Sequence, residues 1–149
     1  VYFMAAVKDG KVVAVAAEAT NPQGYAGNIQ ALIGLETDGA IRAVLITKQN
    51  ETPGLGANVC QRKVQKTIFT LFDKPAEGLA PNKILDQFDG KKASPDANWQ
   101  VKKDGGEIDF ISGATVTSRA VTLLVSEIDR TYLLNRDKIM QELTPAGGK

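Results

Sequence analysis

Apolar and polar positions alternate in short blocks over the first third of the chain, and the period then lengthens. Residues 2–7 and 11–18 read as two strands joined at Asp9-Gly10, a dipeptide that suits the left-handed backbone of a tight hairpin. Asn21-Pro22-Gln23-Gly24 breaks the pattern. Residues 27–36 and 40–47 predict a second strand pair around Asp38-Gly39. In its return strand Ile41, Val44 and Ile46 are apolar, with Leu45 between two of them, so most of that strand is expected to be buried. Residues 49–57 form a loop containing Pro53, Gly54 and Gly56. From Asn58 to Phe72 the period becomes helical, with Val64, Ile68, Leu71 and Phe72 on one face. Residues 73–97 hold three of the six prolines and predict a long surface connection with a short helix at 82–88. Trp99–Lys103 and Glu107–Phe110 predict a third strand pair across Asp104-Gly105-Gly106. Val121, Leu124, Val125, Ile128 and Tyr132 then mark the strongest helix of the chain, from 115 to about Asn135. The expected class is α+β: a single domain over residues 1–143, mostly antiparallel strand pairs packed with two main helices, and a flexible tail at 144–149.

Composition narrows the chemistry. An apolar fraction of 43% is enough for a real core. Eighteen basic residues against 17 acidic ones leave a net charge of +1, which gives no electrostatic case for nucleic acid or an anionic lipid surface as the main partner. Histidine is absent, which removes imidazole-based triads and the usual catalytic zinc sites. One cysteine, Cys60, excludes an internal disulfide. The longest apolar runs, Val1–Val7 and Val12–Ala17, are far short of the ~20 residues of a membrane helix. No metal site and no autonomous catalytic group is expected.

The most informative stretch runs from Asp109 through Ser112-Gly113-Ala114-Thr115 to Ser118. Gly113 and Ala114 are small enough for a bulky group to approach the backbone. A helix begins just after them, and its first turn combines unpaired N–H groups with the positive end of the helix dipole, a setting that favours phosphate. Thr115 puts a hydroxyl at that point. The plainer reading makes Thr115 an N-cap, and the same reading covers Ser112, Thr117 and Ser118.

Glu51-Thr52-Pro53-Gly54-Leu55-Gly56 is the second feature. Pro-Gly fits the central positions of a type II turn, with Gly54 the glycine expected at positive φ. Gly56 admits close approach before a helix. Leu55, raised on such a turn, is suited to cover a flat aromatic ring. The plainer reading is an ordinary strand-to-helix loop.

Together, and in this order, the two segments resemble the FMN-binding domain family, which includes the G subunit of Rnf-type electron transport complexes and the C subunit of sodium-translocating NADH:quinone oxidoreductase. The family's flavinylation motif is Asp, two variable residues, Ser or Thr, Gly, Ala, then the acceptor; Asp109, Ser112, Gly113, Ala114 and Thr115 match it position for position. Glu51 to Gly56 match the ETPGLG loop of those subunits, and Gly24-Tyr25-Ala26-Gly27-Asn28-Ile29 is similar to the family's strand start. The resemblance covers roughly residues 24–130.

It implies FMN attached through its phosphate to Thr115 by a separate magnesium-dependent flavin transferase that uses FAD and releases AMP. Asp109, Ser112, Gly113, Ala114 and Thr115 would be the transferase's recognition signal, and Glu51–Gly56 a further part of the flavin site. The resemblance also implies an electron-carrying subunit domain of a membrane ion-translocating redox complex, with other subunits as partners. The domain would lie on the extracytoplasmic side of the cell membrane, held there by an N-terminal helix that this sequence does not include. Two alternatives stay open. One is a flavin carrier for another extracytoplasmic reductase or respiratory regulator; the other is a flavin-free binding or structural module.

The remaining candidates have mostly bland readings. Cys60 is expected as a small buried hydrophobe, with a reactive thiol at a helix start as the sharper reading. Trp99 is expected in packing, and Lys48 and Lys102 at the surface unless one faces a reduced flavin. Asp129, Arg130, Arg136, Asp137 and Lys138 are expected on the solvated face and end of the last helix.

Overall fold

Asp9 and Gly10 both adopt positive φ, 51° and 73°, and turn the chain through a two-residue hairpin that pairs Lys8 with Lys11. This turn joins β1 (Tyr2–Lys8) to β2 (Lys11–Gly24). The computed structural model describes residues 1–62, 78–92 and 99–144. β3 (Gly27–Leu35) and β4 (Ile41–Lys48) complete a four-stranded antiparallel meander in the order β1-β2-β3-β4.

The sheet buries one face. Ile29, Ala31, Ile33 and Leu35 of β3 alternate inward beside Val15 and Ala17 of β2. In β4 the buried residues are Ile41 and Val44, an odd spacing for a strand. The register slips between Gly34 and Leu35, so Arg42 is bulged out and Ile41 and Val44 share a face. The expected dense burial of that strand is therefore only half met: Leu45 and Ile46 are partly exposed.

α2 (Thr115–Leu143) lies across this face, with Val121, Leu124, Val125, Ile128 and Tyr132 all buried at helical spacing. Fully burying such a side chain is worth about 1.5–3 kcal/mol, so the sheet–helix seam holds the domain together. The class is α+β in a single domain. No helix among the described residues is long and apolar enough to cross a membrane.

Several boundaries differ from expectation. β2 continues through Asn21-Pro22-Gln23 to Gly24 with a register irregularity, because buried Asn21 donates to the Ala120 carbonyl of α2 at 2.9 Å and holds the strand against the helix. α1 (Gly56–Cys60) starts two residues before Asn58 and stops at Gln61, which is extended. The Asn82 side chain explains the stop: its amide donates to the carbonyls of Asn58, Val59 and Gln61. Val64, Ile68, Leu71 and Phe72, which carry the longer helix in the sequence, lie outside the described residues, as do 145–149. The helix expected at 82–88 is a turn followed by a short 3-10 segment, Asp86–Phe88.

The third strand pair does not form. Val101 and Ile108 make one parallel bridge, and Lys102–Asp104 is a 3-10 turn. The Val101 carbonyl accepts both the Asp104 and Gly106 N–H groups, so the chain coils back where a hairpin would run straight. α2 extends eight residues past Asn135. The expected solvated Asp129 is fully buried.

Candidate functional site

Thr52 to Leu55 form a turn in which the Leu55 N–H donates to the Thr52 carbonyl at 3.1 Å, with Pro53 and Gly54 at the corners and Gly54 at φ +80°. Leu55 follows, half-exposed. A second turn, Ile111 to Ala114, is closed by the Ala114 N–H on the Ile111 carbonyl at 2.9 Å, with Gly113 at φ +84°. The two turns face each other. A Cβ on Gly113 would stand 3.5 Å from Cδ2 of Leu55.

Between them lies a cleft of about 470 Å³, within the ordinary range of ligand sites. Glu51, Thr52, Leu55 and Gly56 form one wall, and Gly113, Ala114 and Thr115 the other. Val116 and Tyr25 add exposed apolar surface at the rim.

Ala114 is the N-cap residue of α2 and makes no side-chain capping bond; Thr115 is the first helical residue. The N-cap reading of Thr115 therefore fails. Among the described residues its hydroxyl makes no hydrogen bond. The neighbouring hydroxyls are engaged. Thr117 Oγ1 donates to Glu51 Oε2 at 2.5 Å. Ser118 Oγ donates to the Ala114 carbonyl at 2.9 Å and accepts the Ile111 N–H at 3.3 Å.

Glu51 closes the back of the cleft. It is buried, and its Oε1 accepts the Ala26 N–H from the β2–β3 turn at 3.0 Å. Gly24 and Gly56 make room for it: a Cβ at Gly24 would lie 2.7 Å from Oε1, and one at Gly56 2.5 Å from Oε2.

The residues lining the cleft fit the chemistry of a phosphate-bearing group with a flat apolar ring. A 29-residue helix starts at the cleft with unpaired N–H groups suited to a phosphate, an open hydroxyl stands on its first turn, and half-exposed Leu55 and Val116 add apolar surface to the lining.

A family model for the FMN-binding domain matches residues 24–128. The chain belongs to the FMN-binding domain family. It is similar to the G subunit of the ion-translocating oxidoreductase complex of Haemophilus influenzae, 36% identical over 97% of this chain and 60% of that protein. The corresponding Escherichia coli protein is 42% identical over 78% of this chain and 48% of its own length. The Pseudomonas aeruginosa one is 36% identical over 93% of this chain and 57% of its own length. The chain thus spans about half to three-fifths of the length of these curated relatives.

Within this FMN-binding domain not every motif residue lines the cleft. Pro53 and Gly54 shape the turn from outside it, and Ser112 is exposed beyond its rim. Asp109 lines a separate depression with Asn58, Asn82 and Phe110. Its backbone is clamped by Gln87, which accepts the Asp109 N–H at 2.8 Å and donates to its carbonyl at 3.1 Å. Its carboxylate meets Lys102 Nζ at 2.6 Å, and that hydrogen bond holds its pKa below the ordinary carboxylate value.

Lys102 is therefore engaged away from the cleft, and Lys48 lines a different depression beside Cys60 and Arg62. Cys60 is buried, and desolvation, with a further contribution from the Glu51 charge, pushes its thiol up to about 12. Its burial in the core favours the reading of Cys60 as a small hydrophobe over that of a reactive thiol. Trp99 is buried against Phe88, ring centroids 6.1 Å apart.

Residues missed by sequence reasoning are Lys103, Tyr25, Val116 and Thr117 as cleft lining. Tyr25 sits in the strand-start segment that resembles the family, so a signal for it exists. Lys103 has none, because only the 3-10 turn brings it to the cleft.

Proposed function

We propose that this domain carries FMN by a phosphoester to the Thr115 hydroxyl and relays electrons within a membrane ion-translocating redox complex. One observation carries the site assignment: of the four hydroxyls from Ser112 to Ser118, those of Thr117 and Ser118 are held in internal hydrogen bonds and that of Ser112 lies outside the cleft, whereas that of Thr115 is open to it at the start of α2. When bound, FMN supplies the redox chemistry, and the protein supplies position and electrostatics. Thr115 would hold the phosphate, and the N–H groups of the first turn of α2 would balance its charge. Leu55, Val116 and Tyr25 would exclude water from the ring.

Attachment is assigned to a separate magnesium-dependent transferase acting on FAD. A bond forms between Thr115 Oγ and the FMN phosphorus, the bond to AMP breaks, and the hydroxyl proton is released. Asp109, Ser112, Gly113 and Ala114 serve as its recognition signal. The relatives are named as components of an ion-translocating oxidoreductase complex, which supports other subunits of such a complex as partners. By the same reading the whole protein is anchored in the cell membrane with this domain on the extracytoplasmic side. Protease treatment of intact spheroplasts should cleave it, and protection would refute that placement.

The deciding experiment is intact-mass measurement and peptide mapping after co-expression with a flavin transferase. One covalent FMN on the Thr115 peptide is expected. An unmodified, colourless chain would refute the proposal, and flavin on the Thr117 position would refute the site.

A further inference from the structure

Residues 99–109 fold around a 3-10 turn that is strapped on both sides. Lys102 is tied to Asp109 at 2.6 Å. Asp104 receives Nε and Nη2 of Arg119, from the outer face of α2, at 2.6 and 2.5 Å. Gly106 packs so closely on the Gln100 carbonyl that a Cβ there would collide with it, which fixes the path of the coil. Lys103 lies between the two straps. It lines the cleft with Thr115, and among the described residues its side chain makes no hydrogen bond or ion pair, though its charge also acts on the adjacent Asp104. The cleft's carboxylate, Glu51, is turned to the Thr117 hydroxyl and the Ala26 N–H. The charged residues on either side of Lys103 are thus paired with partners outside the cleft, and Lys103 is the one among them that lines it.

We propose that Lys103 is an electrostatic positioning residue for the cofactor of this cleft: its ammonium compensates the negative charge of a reduced isoalloxazine and so raises the reduction potential. The proposal rests on the reading of the cleft as the FMN site. A reduced flavin carries more negative charge than the oxidised one, so a nearby fixed cation favours it. A unit charge a few ångströms away in a partly screened cleft shifts such an equilibrium by about tenfold. In a two-electron titration tenfold reads as about 30 mV.

The test uses flavinylated protein, its loading verified by intact mass, in spectroelectrochemical titrations at low and high salt. Lys103→Gln should lower the midpoint potential at low salt, Lys103→Glu should lower it further, and Lys103→Arg should restore it. The differences should shrink as salt rises. Lys138→Gln, on the exposed far end of α2, should leave the potential unchanged. Wild-type potentials in loaded Lys103→Gln and Lys103→Glu would overturn the proposal alone. Poor loading of Lys103→Gln with a wild-type potential in the loaded fraction would assign Lys103 to the transferase and likewise overturn it. A wild-type chain that takes no flavin would overturn both this and the reading beneath it.

Discussion

Thr117 and Glu51, 66 residues apart in sequence, meet at 2.5 Å, hydroxyl on carboxylate, at the buried back of the cleft. This bond joins the glycine loop to the first turn of α2 and so sets the spacing between the two walls. The other Glu51 oxygen reaches the β2–β3 turn, which makes one carboxylate the junction of three segments.

Removing either partner leaves a buried polar group unsatisfied, at a cost of about 1–3 kcal/mol. Glu51→Ala and Thr117→Val should therefore each lower the urea midpoint. The double variant should cost less than the sum, because the two losses share one interaction. Strict additivity would mean that the contact contributes nothing.

Gly54 and Gly56 should respond differently to alanine. Gly54→Ala meets open space and bears only the left-handed backbone, about 1–2 kcal/mol. Gly56→Ala drives a methyl between Glu51 and Thr117, costs about 1–3 kcal/mol, and should also impair flavin loading by parting the walls. Equal loading in the two variants would refute the role given to Gly56.

Thr115→Val should abolish flavin attachment while changing stability by no more than about 0.5 kcal/mol, because the side chain caps nothing and stands at the surface of the cleft. A large loss of stability would show that the hydroxyl has a structural partner. Labelling that persists in this variant would move the acceptor elsewhere.

Cys60 gives a pH signature. Its thiol lies near 9.0 ordinarily and is pushed up to about 12 in the fold. Between those values the unfolded chain has lost a proton that the folded chain keeps, so stability falls as pH rises through that window. Urea melts from pH 8 upward should show a smaller decline in Cys60→Ala than in the wild type. The native thiol should also resist alkylation near neutral pH until the chain is unfolded.

The chain should fold without flavin. Its core, from Val15 and Ile33 to Leu124 and Tyr132, is built between sheet and helix and does not include the cleft's rim residues Leu55, Val116 and Tyr25. Unloaded protein should melt cooperatively, and loaded protein somewhat higher. A non-cooperative melt of the unloaded chain would make the cofactor part of the core.

The hairpin at Asp9-Gly10, the meander and the seam of α2 are legible in the sequence because each rests on local rules: left-handed turn residues, period-two alternation, and the helical spacing of Val121 to Tyr132. Gly54 at positive φ is legible for the same reason. The coil that replaces the third strand pair is not, because alternation at Trp99–Lys103 and Glu107–Phe110 carries no information about Gly106 pressing on Gln100. The burial of Asp129 is hidden because a charge on a helix is ordinarily solvated, and only the packing of the folded chain covers it. Asn21 reads as a strand breaker because its partner, the Ala120 carbonyl, is 99 residues away.

The sequence by itself determined the family, the class and the two motif segments, since spacing and residue type along the chain are enough to specify turns, helix starts and a hydroxyl beside small residues. The tertiary structure decided which threonine hydroxyl is open to the cleft and which lysine lines it. Thr115 and Thr117 are both threonines of one helical turn, and Lys102 and Lys103 are neighbours of one type. What separates each pair is a partner brought from elsewhere in the chain, Glu51 for Thr117 and Asp109 for Lys102. Hydrogen bonds and ion pairs act over a few ångströms of space regardless of sequence separation, so the residue each pair leaves open emerges only once the chain has folded.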